Sequence, residues 1–137
     1  MSEFDTRLAA LAAHLTTSCP LRAVTRSLKD FAQRDDDELT AGILSVIGSG
    51  AGRFRNLRER LGMDATQRVI VVGQLRVAES ATPLTVEQAE FTLYDEVIAA
   101  LQAGAGTLRC IDIADFRQSA QLEHPYGWIA LDLEWAT

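Results

Sequence analysis

The chain has 137 residues, a formal net charge of −6, 47% hydrophobic and 23% charged residues, which suits one soluble globular domain with its own core. This profile excludes a disordered chain, a disulfide-framework miniprotein and a fibrous repeat, and no apolar run approaches the roughly 18 residues a membrane helix needs. The acidic balance argues against wholesale coating of nucleic acid, and the two cysteines, Cys19 and Cys110, with no secretory signal in view, point to a reducing cytoplasm.

Phe4, Leu8, Leu11 and Leu15 recur at spacings of four, three and four. That predicts an amphipathic helix lying on a sheet, capped by Ser2 with Asp5 and closed by Pro20. Leu21 to Leu28 reads as a strand, with Val24 and Leu28 as its apolar contributions. Arg34-Asp35-Asp36-Asp37-Glu38 reads as a solvated acidic turn, since it lacks the alternating ligands and central glycine of a calcium loop. Gly42 to Ile47 is a second short strand. The glycine run Gly48-Ser49-Gly50-Ala51-Gly52 then opens an excursion over about residues 49–66, predicted to be flexible. It carries Arg53, Arg55, Arg58 and Arg60 against Glu59, with Phe54, Leu57 and Leu61 spaced for one face of a short helix.

Arg68 to Ala78 is predicted as a central strand, because Val69-Ile70-Val71-Val72 is apolar on both faces. Thr85 with Gln88 reads as a capping box for a helix reaching about Ala103. Ala89, Leu93, Val97 and Leu101 form its stripe, widened by Phe91, Tyr94 and Ile98. Glu87, Glu90, Asp95 and Glu96 give it four negative charges and no positive one, and Gly104 and Gly106 end it. Thr107 to Phe116 follows as a strand. Trp128 to Trp135 closes the chain with Ile129, Leu131, Leu133 and Trp135 alternating against Asp132 and Glu134. The fold class is α+β: a single domain over residues 1–137, with one mainly antiparallel sheet of about four to five strands flanked by two helices.

Reactive groups are few. His14 falls on the flank of the first helix and His124 in a solvated turn before Pro125, with no partner at triad or metal-site spacing. Cys19 and Cys110 read as small hydrophobes at a helix end and in a strand. The carboxylate pairs Asp112 with Asp115 and Asp132 with Glu134 carry no distinctive signature, and the glycine run fits neither phosphate-binding pattern. No catalytic, cofactor-binding or metal-binding residue is expected, and no enzyme signature is present. The arginine cluster could face DNA phosphates, an acidic surface on another copy of the chain, or solvent; between the first two a protein contact is favoured, because the rest of the chain repels DNA.

The order of these parts resembles the tail terminator proteins of long-tailed bacteriophages and their head–tail joining relatives. The resemblance rests on Val69-Ile70-Val71-Val72-Gly73, the acidic helix Thr85 to Ala103, Leu108-Arg109-Cys110-Ile111-Asp112-Ile113 and Tyr126-Gly127-Trp128-Ile129-Ala130-Leu131-Asp132-Leu133, and it spans most of the chain. It implies a non-enzymatic virion protein at the tail–neck junction, assembled in the cytoplasm of a bacterial host. Such a protein forms a homo-oligomer, a hexameric ring, that caps the tail tube protein, ends tail polymerisation and docks the head connector or neck protein. DNA would pass through its lumen without sequence-specific binding, and neither cofactor nor membrane is involved. A closed ring needs two different patches on each subunit. Here they are expected to be Arg53, Arg55, Arg58 and Arg60 on one side and Glu87, Glu90, Asp95 and Glu96 on the other. The alternatives are a head–tail joining or neck protein of similar fold and a small ferredoxin-like ligand-binding regulatory domain.

Overall fold

Leu8, Leu11 and Leu15 lie on one side of helix α1 (Glu3–Ser18), and all three are buried against a sheet. Ser2 caps this helix by accepting the Phe4 amide, and Cys19 ends it. The computed structural model describes residues 2–53 and 65–136. Within them the chain continues through β1 (Ala23–Thr25), α2 (Asp36–Ala41), β2 (Ile43–Gly52), β3 (Thr66–Arg76), α3 (Pro83–Gln102), β4 (Ile111–Gln118) and β5 (Tyr126–Trp135). The five strands form one sheet in the order β1-β2-β3-β5-β4; β1 is parallel to β2 and every other pair is antiparallel. The fold is α+β with a mostly antiparallel sheet, as the sequence predicts.

Paired residues of antiparallel strands share a face, so the register sorts the sheet into two sides. Leu44, Gly73 and Ile129 form one rung, and Val46, Val71, Leu131 and Phe116 the next. These face α1 and α3, and the main core lies between them. The helices run antiparallel: His14 Nε2 donates to the Ala100 carbonyl at 2.7 Å, and the Cys19 thiol lies 3.8 Å from the Glu96 carbonyl. Gly73 sits where α3 comes closest, because a Cβ there would be 2.5 Å from Leu93 Cδ2.

On the opposite face, among the described residues, the segment 27–41 covers one end. Arg34 anchors that segment: its side chain is 4% exposed, and its Nη2 donates to the Ser27 carbonyl (2.7 Å) and to Ser45 Oγ (3.3 Å). Gln74 Nε2 reaches the Lys29 carbonyl (2.8 Å), and Phe31 packs on Tyr126 with ring centroids 5.0 Å apart. The cover reaches the rung Ser45-Val72-Ala130-Arg117 at Ser45, and beyond it the rungs Ile47-Ile70-Asp132-Asp115 and Arg68-Glu134-Asp112 continue across the sheet.

Several local expectations are corrected. The first strand is three residues long, not Leu21 to Leu28, because it pairs only with the start of β2 and Arg26 then turns its Nε to the Val46 carbonyl. The acidic run is not a plain solvated turn: Asp36, Asp37 and Glu38 open α2, where carboxylates oppose the positive helix end, and Leu39 is buried beneath it. The glycine run belongs to β2, with a bulge between Gly48 and Gly50. The rest of the excursion, residues 54–64, lies outside the described residues. The cap of α3 is Thr82, whose Oγ1 accepts the Thr85 amide, with Pro83 in the first turn. Residues Gly106–Cys110 form a 3₁₀ turn before β4 begins, so Cys110 is exposed at its end and is not in a strand. His124 is half-buried in its turn, where its Nε2 donates to the Ala81 carbonyl at 2.5 Å.

Candidate assembly surface

The eight residues expected to carry subunit contacts have very different fates. Arg53 is exposed just past β2, with a positive φ of 55°. Arg55, Arg58 and Arg60 lie outside the described residues. On α3, Glu87 is half-buried and Asp95 exposed. Glu90 is not a surface residue at all: it is fully buried and accepts hydrogen bonds from Ser119 Oγ (2.5 Å), the Trp128 amide (2.9 Å) and Gln118 Nε2 (3.4 Å). Gly127 makes room for it, since a Cβ there would sit 2.9 Å from Glu90 Oε2.

Glu96 is also committed inside the chain. It faces α1 and forms a two-point ion pair with Arg22, whose Nη1 also donates to the Ala41 carbonyl (2.8 Å). The hydrogen bond to Glu96 raises the Arg22 pKa against the opposing pull of burial. Burial, followed by the nearby Glu96 charge, pushes the Cys19 thiol up, with Arg22 opposing. Glu90 and Glu96 therefore leave the expected acidic patch, because they lie on the sides of α3 that face the sheet and α1.

Their place is taken by carboxylates that the sequence does not bring together. Strand register sets Asp112 opposite Glu134 and Asp115 opposite Asp132. Like charges directly opposite each other on paired strands destabilise the pair. Cations share this face: Arg117, with its Nη2 3.2 Å from Asp132 Oδ1, and Arg68, which strand register sets opposite Glu134. Read along one strand at a time, these acids look like an ordinary polar face; only the register makes them neighbours.

Among the described residues β4 is an edge strand, so alternate N–H and C=O groups along its outer side have no strand partner there. Beside it, between β4 and the end of α3, runs a groove of about 370 Å³ lined by Ile98, Leu101, Leu108, Ile111 and Ile113, with Arg109 and Asp112 at its mouth. Ile113 is 42% exposed there. Asp95 stands about one turn before Ile98 on α3, which puts it on the same side of the helix. The apolar lining lies on the helix side of β4 together with Asp95, whereas Asp112, Asp115, Asp132 and Glu134 belong by register to the opposite face of the sheet. At the far edge of the sheet, Leu21 beside β1 is 80% exposed.

Among the described residues no group of three or more His, Cys, Asp or Glu side chains could hold a metal ion, and no helix is long and apolar enough to cross a membrane. No protein-family model matches the chain, and no curated protein matches it.

Proposed function

We propose that this protein is a ring-forming structural subunit of a long-tailed phage, which caps the finished tail tube, stops its polymerisation and presents a docking surface to the head connector. The reading joins the resemblance seen in the sequence to the α+β fold that the resemblance implies. The observation that carries it is the α3–β4 edge. A subunit in a closed ring needs one patch that differs from and complements a second, and this edge offers an apolar groove beside the last strand of the sheet. Function on this reading is complementary contact without turnover.

Negative-stain electron microscopy of the purified protein, alone and mixed with end-exposed tail tubes, tests it. Rings, and a cap at one end of each tube, are the expected result; a lasting monomer that leaves tube ends bare overturns the reading. The groove at Ile98 and Ile113 favours a second reading, a small ligand-binding domain. That reading predicts a thermal-shift response to a metabolite and no rings.

A further inference from the structure

The geometry points to the outer side of β4 as the place where a second copy of this chain pairs with the first, strand against strand across a two-fold axis. The inference stands apart from the ring reading, because an isologous contact joins copies in pairs and does not itself close a ring. Hydrogen bonding fixes which residues look outward. The Ala136 amide donates to the Cys110 carbonyl at 3.2 Å, so alternate residues of β5, including Glu134 and Ala130, bond towards β4. Asp112 and Arg117, which lie opposite them, spend their backbone groups on β5. Ile111, Ile113, Phe116 and Gln118 therefore turn theirs to the open edge. These same residues lie on the helix face, opposite Trp135, Leu133, Leu131 and Ile129.

In a strictly alternating strand Ile113 and Phe116 would point to opposite faces. The bulge between Ile113 and Asp115 supplies the extra residue that brings them into phase, and it falls at the middle of β4. A two-fold axis through the bulge, perpendicular to the sheet, lays β4 on its copy with both faces matched. Ile111 then meets Gln118 of the second copy, Asp112 meets Arg117, Ile113 meets Phe116, and Ala114 meets Asp115. Outward residues meet outward residues, so the pairs made by Ile111 and Ile113 exchange both backbone bonds. A bulge ordinarily obstructs edge pairing. Here the two bulges face each other at the axis and interrupt the ladder only there.

The side chains agree with this register. Asp112 is exposed, and the half-exposed Arg117, with one end on Asp132, gains a second carboxylate across the axis. Ile113, 42% exposed, meets Phe116, which already stacks on Tyr94 with centroids 4.2 Å apart. Slipping the second copy by two residues would set Asp112 against Asp115 and leave Gln118 unpaired.

Sedimentation velocity of the full chain should show a dimer. D112R and R117D should each weaken it at least about tenfold, because like charges then meet across the axis. D112R/R117D in one chain should return to within about threefold of wild type, a rescue that a merely structural role would not produce. Asp115 approaches its own copy diagonally at the axis, so D115N should tighten the pair. In a C110S background, D112C and R117C should each stay uncrosslinked alone and form a covalent dimer when mixed and oxidised, which reads the register directly. Circular dichroism and melting confirm that each variant is folded. A wild type that stays monomeric, a D112R that pairs like wild type, a folded double variant without rescue, or crosslinking of either single cysteine variant alone overturns the pairing. Rings on tail tubes would still support the ring reading in that case. Dimers that leave tube ends bare overturn the ring reading and support the pair.

Discussion

Glu90 accepts from Ser119, Gln118 and the Trp128 amide, so truncating it strands three donors, one on β4, one on β5 and one in the turn between them. Glu90→Ala is expected to lower stability by about 2–4 kcal/mol in urea denaturation, from the desolvated donors alone, with Glu90→Gln losing less because its carbonyl still accepts. Gly73→Ala addresses a steric limit instead. Its Cβ would meet Leu93 at 2.5 Å and Ile129 at 2.8 Å, and moving α3 to relieve this should cost about 1–3 kcal/mol. The two cysteines make a simpler contrast. Cys110 is exposed and should alkylate in the native protein, whereas buried Cys19, its thiol pushed up chiefly by burial, should react only on unfolding. A raised acid pKa also fixes the sign of its pH effect: the contribution is intact below the ordinary thiol range and is lost as pH rises through the raised value.

Residues 27–41 are held to the far side of the sheet mainly by one side chain. Arg34→Ala removes donors to Ser27, Ser45 and Gln74 from an almost buried position. It should lower stability by about 2–3 kcal/mol. Hydrogen exchange should then show this segment opening before α1 or α3 does. Nothing in the run from Ser27 to Ala41 announces that role, because Arg34 finds its partners on β2 and β3. The elements legible in the sequence are those whose patterns are local and long. The Leu8-Leu11-Leu15 stripe and the alternation from Ile129 to Trp135 each declare a buried face without reference to anything else. β1 is short because its partner strand offers it only three residues, and the glycines of β2 carry no side chains whose alternation could be read. The acidic surface is half legible: Asp95 is exposed on α3, Glu90 is buried, and Asp112 and Asp115 meet Glu134 and Asp132 only through the register of β4 on β5.

Across the whole molecule, the helix side is closed by α1 and α3, while among the described residues β4 forms an open edge of the sheet. If charge selects the partner at that edge, assembly should weaken as salt rises from about 0.1 M to 1 M, where the screening length falls from about 10 Å to 3 Å. Sedimentation across that range checks it, and rings that persist unchanged at high salt would assign the contact to apolar burial instead. Glu90 bears on the whole chain in a different way. Its carboxylate enters the interior with α3, but its three donors arrive with β4, β5 and the turn between them. Docking the helix before that hairpin exists would leave a buried carboxyl group without hydrogen-bond partners, which is costly, and forming the hairpin without the helix would leave its donors unmatched. Half-built states are penalised from both directions, so the C-terminal half of the chain should fold as one cooperative unit and not helix first or hairpin first.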